Sequence, residues 1–234
     1  MQQLALAVRL RGRARLDNFF VGPNGTAVAT IGDLATGKAG IALLTGPVSS
    51  GKSHLLLGAV AAADQVGRRA RYISLRELQG GSAAVLADRP LAELICCDDV
   101  DSIAGDATFC RELFALWRDC EERGAALLFA ARHVPTLSDW ALQDLGSRMR
   151  GASIRLTLTP LDETAQRALL TQRAHGFGLE LPEDVLEFLL RRLPRDLAAQ
   201  CGFIDELDIA ALTAQRRLTV PFVREVLARG SAPR

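Results

Sequence analysis

The chain has 234 residues, with 28 basic and 27 acidic side chains, a formal net charge of +1, and 49% hydrophobic against 24% charged residues. This balance is typical of a globular protein and excludes both a mainly disordered chain and one that coats nucleic acid through a general electrostatic field. No apolar run approaches the roughly 20 residues of a membrane helix, and the amino terminus lacks the apolar core of a signal peptide, so we expect a cytoplasmic protein with no membrane association.

The first fifteen residues differ in character from the rest of the chain. Apolar residues and two glutamines precede four alternating arginines, and no acidic residue occurs among them. This composition predicts an extended arm over residues 1–15 rather than a part of the core.

Short β-rich runs alternate with helical stretches between about residues 40 and 158. The predicted strands are Ile41–Thr45, Arg71–Leu75, Leu94–Asp98, Ala126–Ala130 and Ile154–Leu158, and the intervening helices include Lys52–Val66 and Asp106–Arg123. Continuous apolar strands separated by helices indicate a parallel sheet covered on both faces. The predicted fold class is therefore α/β.

The first predicted strand leads directly into a phosphate-binding pattern. Gly46, Gly51, Lys52 and Ser53 complete G-x-x-x-x-G-K-[ST], with Pro47, Val48, Ser49 and Ser50 between the two glycines. In this motif backbone N–H groups surround a β-phosphate, the lysine reaches the β- and γ-phosphates, and the Ser53 hydroxyl ligates Mg²⁺. The sequence therefore predicts a site for ATP or ADP with Mg²⁺. His54 is included among the nucleotide contacts, with a structural histidine as the alternative.

Two acidic residues, Asp98 and Asp99, follow the apolar run Leu94-Ile95-Cys96-Cys97 at the end of the third predicted strand. A carboxylate delivered beside a phosphate loop can hold the hydration shell of Mg²⁺, and a second acid can orient a water for attack on the γ-phosphate. We assign Asp98 to the metal and Asp99 to the water. The alternative is a solvated turn.

The strand pattern stops after Pro160. Helical spacing then recurs over Asp162–His175, Pro182–Leu193, Arg195–Leu212 and Thr219–Ala228, with Pro182 expected at the first helical position. This predicts a small helical domain over 160–234, next to an α/β domain over 16–159. Five cysteines without a C-x-x-C pattern indicate buried reduced thiols, not disulfides or a zinc site.

Several segments resemble a known family. Residues 16–24, Leu-Asp-Asn-Phe-Phe-Val-Gly-Pro-Asn, are similar to the leading segment of the AAA+ domain of the bacterial initiator DnaA. Residues 98–106, 178–185 and 212–223 resemble the Hda family, the regulatory inactivators of DnaA. The resemblance covers nearly the whole chain.

The resemblance implies an AAA+ P-loop sheet with a helical lid and a nucleotide, with ADP as the working form. It implies DnaA and the DNA polymerase III sliding clamp (beta subunit) as partners, DNA being reached indirectly through the clamp, and it leaves a homo-oligomer open. In this family the clamp-loaded protein promotes hydrolysis of DnaA-bound ATP and so restrains replication initiation. We expect no carboxy-terminal DNA-reading domain in this chain.

The resemblance also assigns roles to individual residues. Arg148 matches an arginine finger that acts on the partner's nucleotide, and Arg195 matches the lid arginine that contacts bound nucleotide. Phe19 and Val21 are expected near the base. Gln3, Leu4, Leu6 and Val8 resemble the short extended peptide by which replication proteins dock on the clamp. The alternatives are surface arginines and an ordinary chain terminus.

One position departs from the pattern of active AAA+ ATPases. Ala130 follows Leu127-Leu128-Phe129 where those enzymes carry a polar residue that orients the attacking water. An alanine cannot do this, so we expect little or no ATP hydrolysis by the chain itself. The competing interpretation is a DnaA-like ATPase or a helicase-loader-type protein that works at DNA.

Overall fold

The computed structural model describes residues 14–87, 92–134 and 136–230, which form two compact units divided between Pro160 and Leu161. The predicted clamp peptide, Gln3 to Val8, lies outside the described residues. Within the described part of the chain no helix is both long and apolar enough to cross a membrane.

The first unit is built on a five-stranded parallel sheet. Its strands are β1 (Gly40–Thr45), β2 (Ala70–Ser74), β3 (Leu94–Asp98), β4 (Ala126–Ala131) and β5 (Ile154–Thr157), and their order across the sheet is β2-β3-β4-β1-β5. All pairings are parallel, as the apolar runs predict, and each predicted strand is found to within a residue at either end.

Helices cover both faces of this sheet. The first unit contains α1 (Gly25–Thr36), α2 (Lys52–Gln65), the single turn α3 (Ala84–Ala87), α4 (Ala107–Arg123) and α5 (Gln143–Arg150). One face packs against α1 and α2, and the other packs against α4 and α5 around the fully buried Phe129. Because β1, β3 and β4 lie between two helical layers, their residues are buried on both sides, which explains their continuous apolar sequences.

The second unit is entirely helical among the described residues. It consists of α6 (Glu163–Gly176), α7 (Glu183–Arg192), α8 (Leu197–Ala214) and α9 (Val220–Gly230), packed around a separate apolar core. The expected position of Pro182 is wrong by one residue: with ψ at 150° its backbone is extended, so it is the N-cap and α7 begins at Glu183.

Side-chain caps set the starts of three helices. Asp106, Asp162 and Asp196 each accept hydrogen bonds from backbone N–H groups in the first turn of α4, α6 and α8. A capping aspartate replaces one of the missing intrahelical bonds and typically contributes about 1 kcal/mol. The helices therefore begin one or two residues later than the sequence pattern suggests, because the capping residue itself is not helical.

Candidate functional site

The phosphate loop joins β1 to α2 and has the curvature that its motif requires. Ser49 and Gly51 have positive φ angles of 62° and 94°. A Cβ on Gly46 would lie 2.9 Å from Ser50 Oγ and 3.0 Å from Leu158 Cβ. Gly51 combines a left-handed conformation with close packing of Phe19, whose Cε2 lies 2.7 Å from where a Cβ would be. Both glycines are therefore required by the backbone path of the loop.

The ammonium group of Lys52 lies inside this loop. Its Nζ donates to the carbonyl oxygens of Gly46 and Pro47, each at 2.7 Å, and the residue is 7% exposed. Burial lowers the pKa of Lys52 although nearby carboxylates, with Asp98 first among them, act in the opposite direction. The loop therefore concentrates positive charge at the point where the motif predicts phosphates.

The loop presents polar groups that suit a phosphorylated ligand. Ser50 Oγ is buried and has no hydrogen-bond partner among the described residues. A buried hydroxyl without a partner is costly, so such an atom calls for an explanation. A bound phosphate would supply an acceptor. Pro47 is exposed and Val48 is 66% exposed, so the outer side of the loop is open to solvent.

Asp98 ends β3 beside the first turn of α2, and three groups fix its carboxylate. Tyr72 donates its hydroxyl proton to Oδ2 at 2.8 Å, the Asp99 N–H donates to Oδ1 at 2.9 Å, and the Ser53 side chain is hydrogen-bonded to the same carboxylate. Asp98 is 2% exposed, and burial raises its pKa. Burial also raises the pKa of Tyr72, so the phenol stays a proton donor.

This arrangement brings together the two predicted magnesium residues, Ser53 and Asp98. A hydroxyl and one carboxylate are the protein ligands that Mg²⁺ uses when phosphates and water complete its shell. No group of three or more His, Cys, Asp or Glu side chains that could hold a metal occurs among the described residues. The residues present therefore fit a magnesium ion carried in by a nucleotide rather than one bound by protein side chains alone.

Asp99 is held by a cation that the sequence did not point to. Arg76, just after β2, donates from Nε to Asp99 Oδ2 at 2.8 Å and from Nη2 to Oδ1 at 3.2 Å. Asp99 itself has left-handed backbone angles, φ 54° and ψ 44°. The carboxylate expected to orient a water is thus engaged by a two-pronged ion pair.

The end of β4 carries only apolar side chains. Ala130 and Ala131 are 0% exposed and belong to the two faces of the sheet core. The next residue, Arg132, lies 3.4 Å from Asp101 in an ion pair. Among these residues the end of β4 therefore offers no polar side chain other than an arginine that is already paired.

The segment before α1 packs against the start of α2. The His54 ring nitrogen Nε2 lies 3.0 Å from the Arg15 carbonyl oxygen and 2.9 Å from Asn18 Oδ1. Phe19 meets the same ring edge-on at a centroid distance of 5.5 Å, and Val21 is 41% exposed. The structure places His54 and Phe19 together beside the phosphate loop, with the histidine tying the leading segment to α2.

Arg148 lies on α5, the helix after β4. Its Nη1 donates to Glu121 Oε2 at 3.0 Å, its guanidinium lies over the Phe114 ring at 5.3 Å, and its side chain is 40% exposed. Exposed ion pairs contribute about 0–1 kcal/mol. The guanidinium is therefore held on α4 by weak contacts and can leave them at little cost.

Arg195 belongs to the helical unit and lines a cavity of about 710 Å³ within that unit. Gln200, 3% exposed, borders the same cavity, donates to the Pro194 carbonyl at 3.0 Å and leaves its Oε1 without a partner among the described residues. The remaining lining residues are Glu163, Gln166, Arg167, Glu187, Leu190, Arg191 and Leu193. The helical unit thus presents a polar cleft with Arg195 on its wall.

Two residues of the site were missed by the sequence reasoning, Tyr72 and Arg76. Tyr72 is the only tyrosine of the chain and lies in a predicted strand, but nothing local links it to Asp98. Arg76 is one of many arginines. Only the parallel register of β2 with β3, which pairs Ser74 with Asp98, brings both side chains to the acidic pair.

A family model described as the Hda lid domain matches residues 162–227, which is most of the helical unit. The match contains the expected lid arginine, Arg195. The second unit is therefore similar to the lid domain of the Hda family.

Solved structures show the same fold as the whole chain. Domain III of the replication initiation protein DnaA from Thermotoga maritima superposes with a TM-score of 0.76 at 23% identity, covering 94% of this chain and 98% of that one. AMPPCP-bound DnaA from Aquifex aeolicus gives 0.69 at 22% identity, covering 93% and 70%. A RuvB mutant from Thermotoga maritima gives 0.65 at 16% identity, covering 94% and 73%. The chain therefore has the AAA+ fold.

Proposed function

We propose that the chain is a nucleotide-dependent regulator of DnaA, which promotes hydrolysis of DnaA-bound ATP and thereby restrains initiation of replication. The proposal is supported by the AAA+ fold that the chain shares with DnaA and by the similarity of its helical unit to the Hda lid. The observation that carries the proposal is the lid match over residues 162–227. The exposed Arg148 and the apolar end of β4 support a role on a partner's nucleotide in preference to the chain's own.

The proposed cofactor is an adenine nucleotide with Mg²⁺, as in the AMPPCP-bound DnaA of similar fold. Backbone N–H groups of Gly46 to Ser53 would surround the phosphates, and Lys52 would neutralise them. Phe19, Val21 and Arg195 are proposed as further contacts. Magnesium would polarise the phosphate oxygens. Ser53 would ligate the ion and Asp98 would hold its hydration shell.

We propose that this nucleotide is ADP and that it is hardly turned over. Ala130 has no group that could hold a water, and it is fully buried. Asp99, the other residue expected to act on water, is engaged by Arg76 through both carboxylate oxygens. The nucleotide would then stabilise one conformation of the chain and would not be its substrate.

The proposed partners are DnaA and the DNA polymerase III sliding clamp. Docking on the clamp is assigned to Gln3, Leu4, Leu6 and Val8, and DNA is reached through the clamp. Deleting residues 1–8 should abolish clamp association while leaving nucleotide affinity unchanged, and Gln3→Ala with Leu4→Ala should act in the same way. Clamp binding at wild-type strength by both variants would place the docking surface elsewhere.

Single-turnover hydrolysis of ATP pre-bound to DnaA tests the function itself. The reaction contains clamp-loaded DNA with or without the ADP-bound chain, and the chain's own ATP hydrolysis is measured in parallel. We expect fast loss of DnaA-bound ATP only when both the chain and the clamp are present. Robust steady-state hydrolysis by the isolated chain, without any effect on DnaA, would instead favour an ATPase that works at DNA.

A further inference from the structure

Tyr72 reaches from β2 to the acidic end of the neighbouring strand β3. In the parallel register Tyr72 lies opposite Cys96, and Ser74 lies opposite Asp98. The phenol hydroxyl nevertheless donates to Asp98 Oδ2 at 2.8 Å. The ring therefore leans along the strand direction by two residues, which the diagonal neighbours of a sheet allow for a long side chain.

The other bonds of Asp98 leave its carboxylate little freedom. Oδ1 accepts the N–H of Asp99 at 2.9 Å, and that N–H is fixed by the left-handed backbone of Asp99. Ser53, an exposed residue at the start of α2, is hydrogen-bonded to the same carboxylate. A carboxylate offers about four lone-pair positions. Tyr72, the Asp99 N–H and Ser53 take up three of these positions, and Ser53 belongs to the phosphate-binding motif.

Without the phenol, the carboxylate would keep the bonds from the Asp99 N–H and the Ser53 side chain, and Ser53 is itself an expected ligand of the magnesium ion. The side-chain torsion of an aspartate that ends in the carboxylate is broad, so the loss of one of these three bonds would orient the group less firmly. Groups that orient a metal ligand from behind commonly change metal affinity by about 10- to 100-fold when they are removed. Tyr72 has the geometry of such a group.

We propose that Tyr72 is a positioning residue that orients the Asp98 carboxylate toward the magnesium ion of the bound nucleotide. The inference rests on the nucleotide site proposed above. It assigns to the only tyrosine of the chain a role in the magnesium-dependent part of nucleotide binding and none in the contacts to the phosphates themselves.

The test compares ADP binding by the wild-type chain and by Tyr72→Phe, with Mg²⁺ at graded concentrations and with EDTA. Phenylalanine keeps the ring and removes only the hydroxyl. In Tyr72→Phe, we expect the Mg²⁺ concentration that gives half of the Mg²⁺-dependent increase in ADP affinity to rise about 10- to 100-fold. The ADP affinity in EDTA should be the same as that of the wild-type chain. Ser153→Ala, which removes a hydroxyl bonded to the Ile41 carbonyl at 3.3 Å on the same sheet, serves as the control and should behave as wild type.

A spectroscopic measurement on the unmutated chain gives an independent answer. Because there is one tyrosine, tyrosine labelled with carbon-13 at Cζ yields a single NMR resonance from Tyr72. At saturating ADP we expect this resonance to shift when Mg²⁺ replaces EDTA, and Asp98→Asn should abolish the shift. A resonance that does not respond to Mg²⁺ would overturn the positioning role, whether or not Tyr72→Phe folds.

The two proposals can fail separately. If the wild-type chain binds ADP more tightly with Mg²⁺ but Tyr72→Phe has the same Mg²⁺ dependence, the role of Tyr72 is overturned and the nucleotide site stands. If ADP does not bind to the wild-type chain, or binds with no Mg²⁺ dependence, both the proposed site and the role of Tyr72 are overturned.

Discussion

Replacing Lys52 by alanine should separate the nucleotide site from the stability of the fold. Lys52 Nζ makes two hydrogen bonds of 2.7 Å to the carbonyls of Gly46 and Pro47. A hydrogen bond from a charged group is worth about 1.5–3 kcal/mol. If the ammonium makes even one such bond to a phosphate, Lys52→Ala should weaken ADP binding by about 10- to 150-fold, since about 1.4 kcal/mol corresponds to a factor of ten.

The same change should affect folding much less. Burial lowers the pKa of Lys52, which means that the folded chain bears a desolvation cost for the ammonium, and that cost disappears with the side chain. Pro47 is exposed, so water can replace the lost donor at its carbonyl. We therefore expect a melting temperature within a few degrees of wild type in the absence of nucleotide.

Isothermal titration calorimetry with ADP and Mg²⁺ measures the effect, and the chain supplies a matched control. Lys38 is the only other lysine; its side chain is 59% exposed and lies 3.8 Å from Asp33. Lys38→Ala removes the same charge and should leave affinity unchanged. Affinity of Lys52→Ala within about threefold of wild type would refute the assignment of the loop as the phosphate site, because a contact of the expected strength would be missing.

Three further predictions concern packing and titration. Phe129 is fully buried and stacks on Trp117 at a ring-centroid distance of 5.5 Å, so Phe129→Ala should lower the free energy of unfolding by about 3–5 kcal/mol. Denaturant unfolding followed by tryptophan fluorescence measures this, and a decrease below about 1 kcal/mol would contradict the packing. Arg173 and Asp205 form a two-pronged ion pair at 2.8 and 2.9 Å with side chains 23% and 22% exposed, so Arg173→Gln should destabilise the helical unit by about 1–3 kcal/mol, measured by hydrogen exchange in α6 and α8. Burial raises the pKa of Cys201 to about 11, so the rate at which this thiol is alkylated in the folded chain should rise about tenfold per pH unit between about pH 8 and pH 10. Mass spectrometry of the labelled peptide measures the rate, and a rate that levels off near the pKa of an ordinary thiol would contradict the prediction.

The sequence carries most of the fold because each part of it leaves a local pattern. Buried parallel strands appear as continuous apolar runs, and the phosphate loop combines two glycines with Lys52 at a strand-to-helix junction. The acidic pair at the end of Leu94–Asp98 is visible for the same reason. These features depend on neighbouring residues, so a single sequence is enough to predict them.

The contacts that tune the site depend on register and could not be predicted. A strand that is apolar on both faces gives no alternation from which its alignment with the next strand could be read. The bonds from Tyr72 to Asp98 and from Arg76 to Asp99 follow only once β2 and β3 are aligned. The pairing of Arg148 with Glu121 likewise follows only from the packing of α5 on α4. Before that packing is known, nothing distinguishes Arg148 among the 28 basic residues of the chain as the partner of Glu121.

Removing Arg148 would show whether this chain acts on a nucleotide held by another protein. Among the described residues, the exposed guanidinium of Arg148 contacts Glu121 and the Phe114 ring. An arginine finger supplied to a partner can be worth about 10³- to 10⁵-fold in rate. Glu121→Gln loosens the arginine without removing it and is the matched control.

The measurement is single-turnover hydrolysis of ATP pre-bound to DnaA, with clamp-loaded DNA and wild-type, Arg148→Ala or Glu121→Gln chain. We predict that Arg148→Ala loses most of the stimulation while keeping its own ADP affinity and clamp binding, and that Glu121→Gln stimulates like wild type. Undiminished stimulation by Arg148→Ala would contradict the proposal that Arg148 acts on the nucleotide bound to DnaA. Loss of the variant's own ADP binding would contradict it as well, because the arginine would then serve the chain's own nucleotide.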